Sequence, residues 1–588
     1  AGRFAEFLPG SSLRYSILLL LLRFLFLSCS RDYFLARMIG VVANEREHSV
    51  VREFFELFKT PWEFYRPDAY YEVLLCSNGL VPENSARLLL VYGAERKAFD
   101  DDRHLGTESV LGRGVVSFHG ERMPIYGGCL LFDGDWLELL VHEATRRPAG
   151  VRLASDVQVA LRLGFDLFGE VGHVLTVGQP AEFANIPTLD LHISLLRELI
   201  VNCGIPLIEV PPVPAGYTFA ACLTHDLDHV RLRYHRFDHA MFGFLYRAVI
   251  GSIIELFRRK KSLGQVLINW KAALSLPFVY AGLVDDFWDQ LDRYAVLEKD
   301  LASTFFVIPR QGHAGVDPHG RVRAKRASRY SAADIAPELK SLLSEMREVA
   351  LHGINAWQDA GKGQEEREQI QQITGAADVG VRMHWLYFNA DSPSALERAG
   401  FAYDSTVGYN ETIGYRAGTT QVFKHPDLER LLELPLHLMD TALFYPSYMD
   451  LSDRQARVAM LGLIENAVRF GGVLTVNWHD RSLGPERLWG DAYETLLHDL
   501  RARTPWFATG TQTVSWFRKR RAISFASVTQ GGGNVRVQLA ADANTSNLPP
   551  LTVRVYNSGS SKAGAGRTPR ATFEDFIIDE SDQLLIAA

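Results

Sequence analysis

Between residues 219 and 502 the chain repeats one grammar: a short unbroken apolar run, one or two polar residues at its end, then a segment of helical period. "TFAACLT" opens the series, and "ASTFFVIP", "EVALHG", "GVRMHWL", "LLELPL" and "GGVLTVNWHD" continue it. Apolar runs without alternation are what strands buried on both faces look like, and strands joined by helices of this length pair in parallel through right-handed crossovers. Five or more such units make either a barrel or an open doubly wound sheet. In both, ligands collect at the carboxyl ends of the strands.

The polar residues of the series sit at those ends. His225, Asp226, Asp228 and His229 follow the first run, His352 follows "EVAL", Arg382 and His384 end "GV", and His479 and Asp480 follow "VLTVNW". One His at a strand end is usually a hydrogen-bonded structural residue; four strand ends doing the same thing point to a shared mouth. Oxygen and nitrogen ligands without thiolate suit a divalent ion, Zn²⁺ first and Co²⁺, Mn²⁺ or Fe²⁺ as alternatives. A catalytic site needs about three protein ligands and an open position. One carboxylate and two imidazoles meet that count. Asp226 lies two residues before Asp228 and shares its face of an extended strand. With Asp228 on the ion, Asp226 is free to take a proton from water whose pKa the ion lowers, with Arg382 beside it to orient it.

The ordered set "THDLD", "TFFVIP", "VALHG", "VRMHWL", "GFAYDSTVGYNETIGYRAGT", "LELPLHLMD" and "VNWHD" resembles the polysaccharide deacetylases, the NodB-homology carbohydrate esterases, in a divergent branch covering roughly 219–510. The resemblance implies a distorted (β/α) barrel and a divalent metal that removes acyl groups, usually N-acetyl, from sugars. It places Asp226 on the catalytic base, Asp228 on the metal-binding aspartate and His352 on the first ligand histidine. It places His479 on the general acid and Arg382 on the arginine that orients the base. One position departs: four residues beyond His352 stands Ala356 instead of the second ligand histidine, and His384 is the expected substitute. The loop residues Tyr409, Tyr415 and Arg416, with Trp385 and Trp478, are the expected sugar-contacting surface; His225 and Asp480 are expected to support the site from behind.

Around this unit the expected organisation is a mixed α/β accessory domain at 1–210, ended by the Pro-rich joint "PLIEVPPVPAGY". The deacetylase-like barrel is expected at 211–523 with a helical insertion at about 236–280, and a β-rich appendage at 524–588. "ARMIGVVANEREHSVVREFFELF" reads as helical. The net charge of -7 and the local character of "RRKK" (258–261) and "RKRR" (518–521) argue against a nucleic-acid partner. Five cysteines without CxxC spacing give neither a zinc knot nor a disulfide framework and fit a reducing, cytoplasmic compartment. "SILLLLLRFLFLS" at 16–28 is broken by Arg23 and short for a membrane span. It is expected to be a buried or interfacial helix, with peripheral membrane contact or targeting as the alternative. Two rival functions stand beside the deacetylase: a metal-dependent phosphohydrolase, suggested by the two His-Asp pairs, and a silent carbohydrate-binding or envelope-assembly protein, suggested by Ala356.

Overall fold

The computed structural model describes residues 39–77, 81–154, 158–344, 346–525, 534–539, 547–556, 572–578 and 583–587. The apolar segment 16–28 and Cys29 lie outside them.

Residues 39–163 supply the strands of a nine-stranded sheet, parallel from Trp62–Phe64 through Ile39–Val42, Val73–Ser77 and Leu88–Tyr92 to Val159–Leu163, and antiparallel beyond that strand. The expected continuous helix over 36–58 does not form across its described part. Ile39–Val42 pairs on both sides as a strand, and the helix begins only at His48, burying Val51, Phe54, Phe55 and Phe58. The "IGVV" run is β-branched and flanked by two other strands, so its cross-strand partners outweigh the helical spacing read from the sequence. Leu207–Glu209, at the end of this unit, pairs antiparallel with Leu551–Tyr556, which in turn pairs with Phe573–Ile578. These two carboxyl-terminal strands are thus sewn to the segment that joins the two large sheets.

The second large sheet carries the repeated grammar. Six of its ten strands are β1 (Ala220–Leu227), β2 (Ser303–Val307), β3 (Arg347–Gly353), β4 (Val381–Met383), β5 (Tyr403–Asp404) and β6 (Val473–Asn477). All pair in parallel, with β1 between β2 and β6 and the order running β5-β4-β3-β2-β1-β6. β1, β2 and β6 are buried along their whole length, which is why their sequences do not alternate. The sheet does not close as the continuous ladder of a barrel. Its two edges are bridged by one segment, 432–439, that pairs with β5 at Leu432–Glu433 and with β6 at Leu438–Met439. Pro435 stands between these pairings and has no N–H to give, so the ladder is interrupted there. Gly471 and Gly472 lead into β6 with φ of +76° and +83°; a Cβ at Gly472 would lie 2.4 Å from the Thr420 carbonyl oxygen, so only glycine admits this approach.

Candidate active site

Alternation along β1 sorts the opening stretch. Thr224 and Asp226 face the inside of the curled sheet, where Asp228 follows, while His225 faces the helices outside. His225 sits among Tyr294, Phe305 and Tyr493, with Nδ1 2.8 Å from the Trp478 carbonyl and Nε2 2.9 Å from Glu298 Oε1. It therefore buttresses the strand end that carries His479 and does not reach the mouth.

Inside, Asp228, His352 and His384 bring one ligating atom each to within 4.8 Å of one another, the one such cluster among the described residues. Asp228 Oδ1 lies 3.3 Å from His352 Nε2 and 3.4 Å from His384 Nε2. His352 Nδ1 is 3.0 Å from the Arg382 carbonyl. A carbonyl only accepts, so Nδ1 carries the proton and Nε2 turns a lone pair into the mouth. Burial pushes His384 well below the usual histidine range, against the pull of the Asp228 carboxylate. Burial works against ionisation of Asp228 too, but the surrounding imidazoles hold it well below the usual carboxylate range. Asp228 Oδ1 is buried and has no hydrogen-bond partner among the described residues. An anionic oxygen without a donor, facing imidazole nitrogens, is a donor set that fits a divalent cation.

His384 is held in place by a strained turn. Trp385 and Leu386, directly after it, have φ of +67° and +52°. Side chains seldom adopt this region, at a cost of about 1–3 kcal/mol each. The buried Arg326 clamps the turn: it donates to the carbonyls of His384 (2.8 Å), Ile354 (2.8 Å) and Ala314 (2.9 Å), tying the ends of β3 and β4 together. Ala356, the residue that departs from the expected histidine, is fully buried. Its backbone approaches Gly363 of the helix Ala360–Thr374, where a Cβ would come within 3.2 Å of Ala356 Cβ. A histidine there would meet this helix. From the next strand, His384 comes beside His352 and Asp228.

Asp226 takes two N–H donors, Arg382 Nη1 at 3.0 Å on Oδ1 and Asn477 Nδ2 at 2.8 Å on Oδ2. Arg382 is itself fixed by Thr224 Oγ1, the Ser405 carbonyl and Ser405 Oγ, with its guanidinium 4.3 Å above the Phe306 ring. Across the mouth, His479 Nε2 lies 3.9 Å from Asp228 Oδ2. Its Nδ1 is 2.6 Å from Asp440 Oδ1, and Asp440 also accepts the His479 backbone N–H at 2.8 Å and the Ser482 hydroxyl. Burial opposes the charged imidazole, but the Asp440 carboxylate outweighs it and pushes His479 up to about 10. Asp440, Asn477 and Arg326 are not singled out by the sequence reading. Asp440 could have been, since it ends the apolar run "LPLHLM" as the other acids end theirs. Asp480, adjacent to His479, turns away: its Oδ2 accepts the N–H groups of His229 and Val230 at 2.8 Å each and shapes the loop after β1.

Asp226, Asp228, His352, His384 and His479 line a cavity of about 470 Å³. Trp385 stands at its wall, 39% exposed. The other expected sugar contacts do not line it, and this corrects the sequence reading. Tyr409 is buried with its hydroxyl donating to the Gln179 carbonyl at 2.6 Å, and Arg416 stacks 5.6 Å over its ring. Tyr415 is buried beside His437, and Trp478 is buried between Phe444 and Tyr493. The loop 404–418 packs against the amino-terminal unit, which takes up Tyr409, while the Tyr415 ring turns inward to His437 and the Leu463 carbonyl. The opposite wall is unexpectedly basic: Arg247, Arg481 and Arg487 line it. Although burial works against its ionisation, the Tyr445 hydroxyl is lowered below the ordinary tyrosine value by Arg487, Arg481, His479 and Arg247.

The sequence matches no protein-family model and no curated protein. Solved structures similar to the chain include polysaccharide and carbohydrate deacetylases. A protein assigned as a polysaccharide deacetylase from Mycobacterium smegmatis is 19% identical, covering 53% of this chain and 95% of that one, with a TM-score of 0.31. The carbohydrate deacetylase Agd3 is 10% identical over 94% of this chain and 99% of its own, with a TM-score of 0.33. The Puue allantoinase is 12% identical over 52% and 91%, with a TM-score of 0.29. At that similarity no residue of the site is assigned by correspondence.

Proposed function

We propose that the chain is a metal-dependent hydrolase that removes acetyl groups, from nitrogen in the first instance, from a carbohydrate. The observation that carries this reading is the convergence of Asp228 Oδ1, His352 Nε2 and His384 Nε2 on one point, with Asp226 on one side of it and His479 on the other. Asp228, His352 and His384 would hold the cation. When bound, it would supply Lewis acidity toward the acyl carbonyl and lower the pKa of water in the mouth. Asp226, oriented by Arg382 and Asn477, accepts the proton of the attacking water through Oδ2, which faces His352 at 3.8 Å. His479, kept protonated by Asp440, donates from Nε2 to the departing nitrogen. Trp385 offers an apolar face for a sugar ring at the cavity wall.

The test is acetate release from a panel of acetylated glycans, before and after chelation and with Zn²⁺ or Co²⁺ restored. Release that chelator abolishes and metal restores supports the reading; release indifferent to chelator contradicts it. The basic wall of Arg247, Arg481 and Arg487 favours one second reading, metal-dependent hydrolysis of a phosphate ester, since guanidinium groups bind phosphate oxygens well. Phosphate release from phosphorylated sugars by the same metal-restored protein, without acetate release from the panel, would select it.

A further inference from the structure

The helical insertion after β1 folds as a hairpin whose limbs are apolar on both sides. The first limb is the helical run His239–Phe257, long and apolar enough by composition to cross a membrane, yet only 28% buried. The second is Leu263–Tyr280. One side of each limb packs down: Ala240, Met241, Phe244 and Ala248 meet Ala272, Leu276 and Trp288 in a separate core cluster. The other side is exposed at helical spacing. Phe242, Tyr246, Ile250, Ile254 and Phe257 form a stripe on the first limb, with Phe257 83% exposed. Leu263, Leu267, Trp270, Leu274 and Phe278 form one on the second, with Leu274 77% exposed. Single exposed apolar residues are ordinary; two adjacent helical stripes are a contiguous patch of the kind that marks an interaction surface.

We propose that this hairpin is an interfacial anchor for an anionic lipid bilayer, lying in the membrane surface with its outer stripes among the acyl chains. Charge chooses this occupant. Residues 239–284 carry Arg247, Arg258, Arg259, Lys260, Lys261 and Lys271 against the single acid Glu255, in a protein whose net charge is -7. Lys260 pairs with Asp450 and Lys261 with Glu255, which pins the turn between the limbs. Arg258, Arg259 and Lys271 remain exposed around the patch, where basic residues flank membrane-surface helices and meet anionic headgroups. The inner stripes hold both limbs on the domain, so the hairpin lies on the membrane instead of crossing it. Ala240 and Arg247 of the first limb also line the active-site cavity. A seated hairpin therefore sets the mouth of the cavity at the lipid surface.

The experiment is co-sedimentation of the full chain with phosphatidylcholine vesicles, with and without phosphatidylglycerol. The variants are Leu267→Asp with Leu274→Asp, and Arg258→Gln with Arg259→Gln. Segment 16–28 is intact in every protein, so a difference between them belongs to the hairpin. Binding that requires phosphatidylglycerol and falls by about tenfold or more in each variant, with circular dichroism unchanged, is the expected result. Trp270 gives a readout that needs no destabilising change: brominated lipid should quench the wild type more than Trp270→Phe. Equal quenching, equal binding by wild type and variants, or a lipid-free dimer that the Leu267→Asp and Leu274→Asp changes split and that ignores vesicles, overturns the proposal.

Discussion

Asp440→Asn is the change whose consequence is most closely defined by the geometry. The carboxylate accepts four hydrogen bonds, from His479 Nδ1, the backbone N–H groups of His479 and Thr441 and the Ser482 hydroxyl. An asparagine has one acceptor oxygen, so whichever way its amide is turned an N–H faces another donor. The charge is lost as well. In the native site His479 is pushed up to about 10 from an ordinary 6.5. A rise of that size corresponds to roughly 5 kcal/mol favouring the imidazolium, shared among Asp440 and the more distant Asp228 and Asp226. The sign follows from linkage. A base with a raised folded pKa binds more protons folded than unfolded between about 6.5 and 10, so its stabilisation is full below 6.5 and lost as pH rises through 10. Removing Asp440 should lower stability at pH 6 by about 2–4 kcal/mol and bring the His479 titration below pH 7. The assay is NMR titration of selectively labelled histidines in chelator-treated protein, with urea unfolding alongside. His479 titrating near 6.5 in both wild type and variant would refute the reasoning. If the metal-restored protein releases acetate as proposed, the same variant should lose about 10–100-fold in kcat at pH 7.5 with KM little changed.

Three further outcomes can be checked. Arg326→Met strips donors from the carbonyls of Ile354 and His384, so metal affinity should fall about 10–100-fold, read by competition with a chromophoric chelator. Ala356→His restores the residue type expected from the sequence but drives an imidazole into the Gly363 contact, so it should cost about 2–4 kcal/mol in chemical denaturation and add no metal affinity. His192 is buried with no hydrogen-bond partner for either nitrogen among the described residues, and burial pushes it down to about 3. Its unfolded form takes a proton below 6.5 while the folded form does not, so it should remove about 2 kcal/mol of stability between pH 7 and 5. His192→Phe should abolish that part of the acid sensitivity in urea unfolding at the two pH values, and an identical drop in both proteins would contradict it.

The strand ends were legible because an unbroken apolar run closed by acids and imidazoles is the mark of a buried parallel strand that ends at a polar mouth. Asp226, Asp228, His352, Arg382, His384 and His479 all meet there. What the sequence hid was set by tertiary contact. Tyr409, Tyr415 and Arg416 look like a ligand-facing loop until the amino-terminal unit is packed against it at Gln179. Asp440 reaches His479 across 39 residues, whereas chain adjacency draws attention to Asp480, which turns to the β1 loop. The hairpin 239–280 shows its apolar content in sequence, but which of its sides is covered depends on where Trp288 and the limbs themselves pack. The strand Ile39–Val42 is decided by partners on both sides, which local spacing does not report.

Cobalt titration of the chelator-treated chain tests the central claim most directly, because the visible bands of Co²⁺ report ligand number and type without a substrate. One equivalent per chain should bind with a spectrum of nitrogen and oxygen donors, and Asp228→Ala, His352→Ala and His384→Ala should each weaken it by at least about tenfold. Cobalt bound equally well by the His384→Ala variant, or no saturable binding at all, would contradict a cation held jointly by these three strand ends.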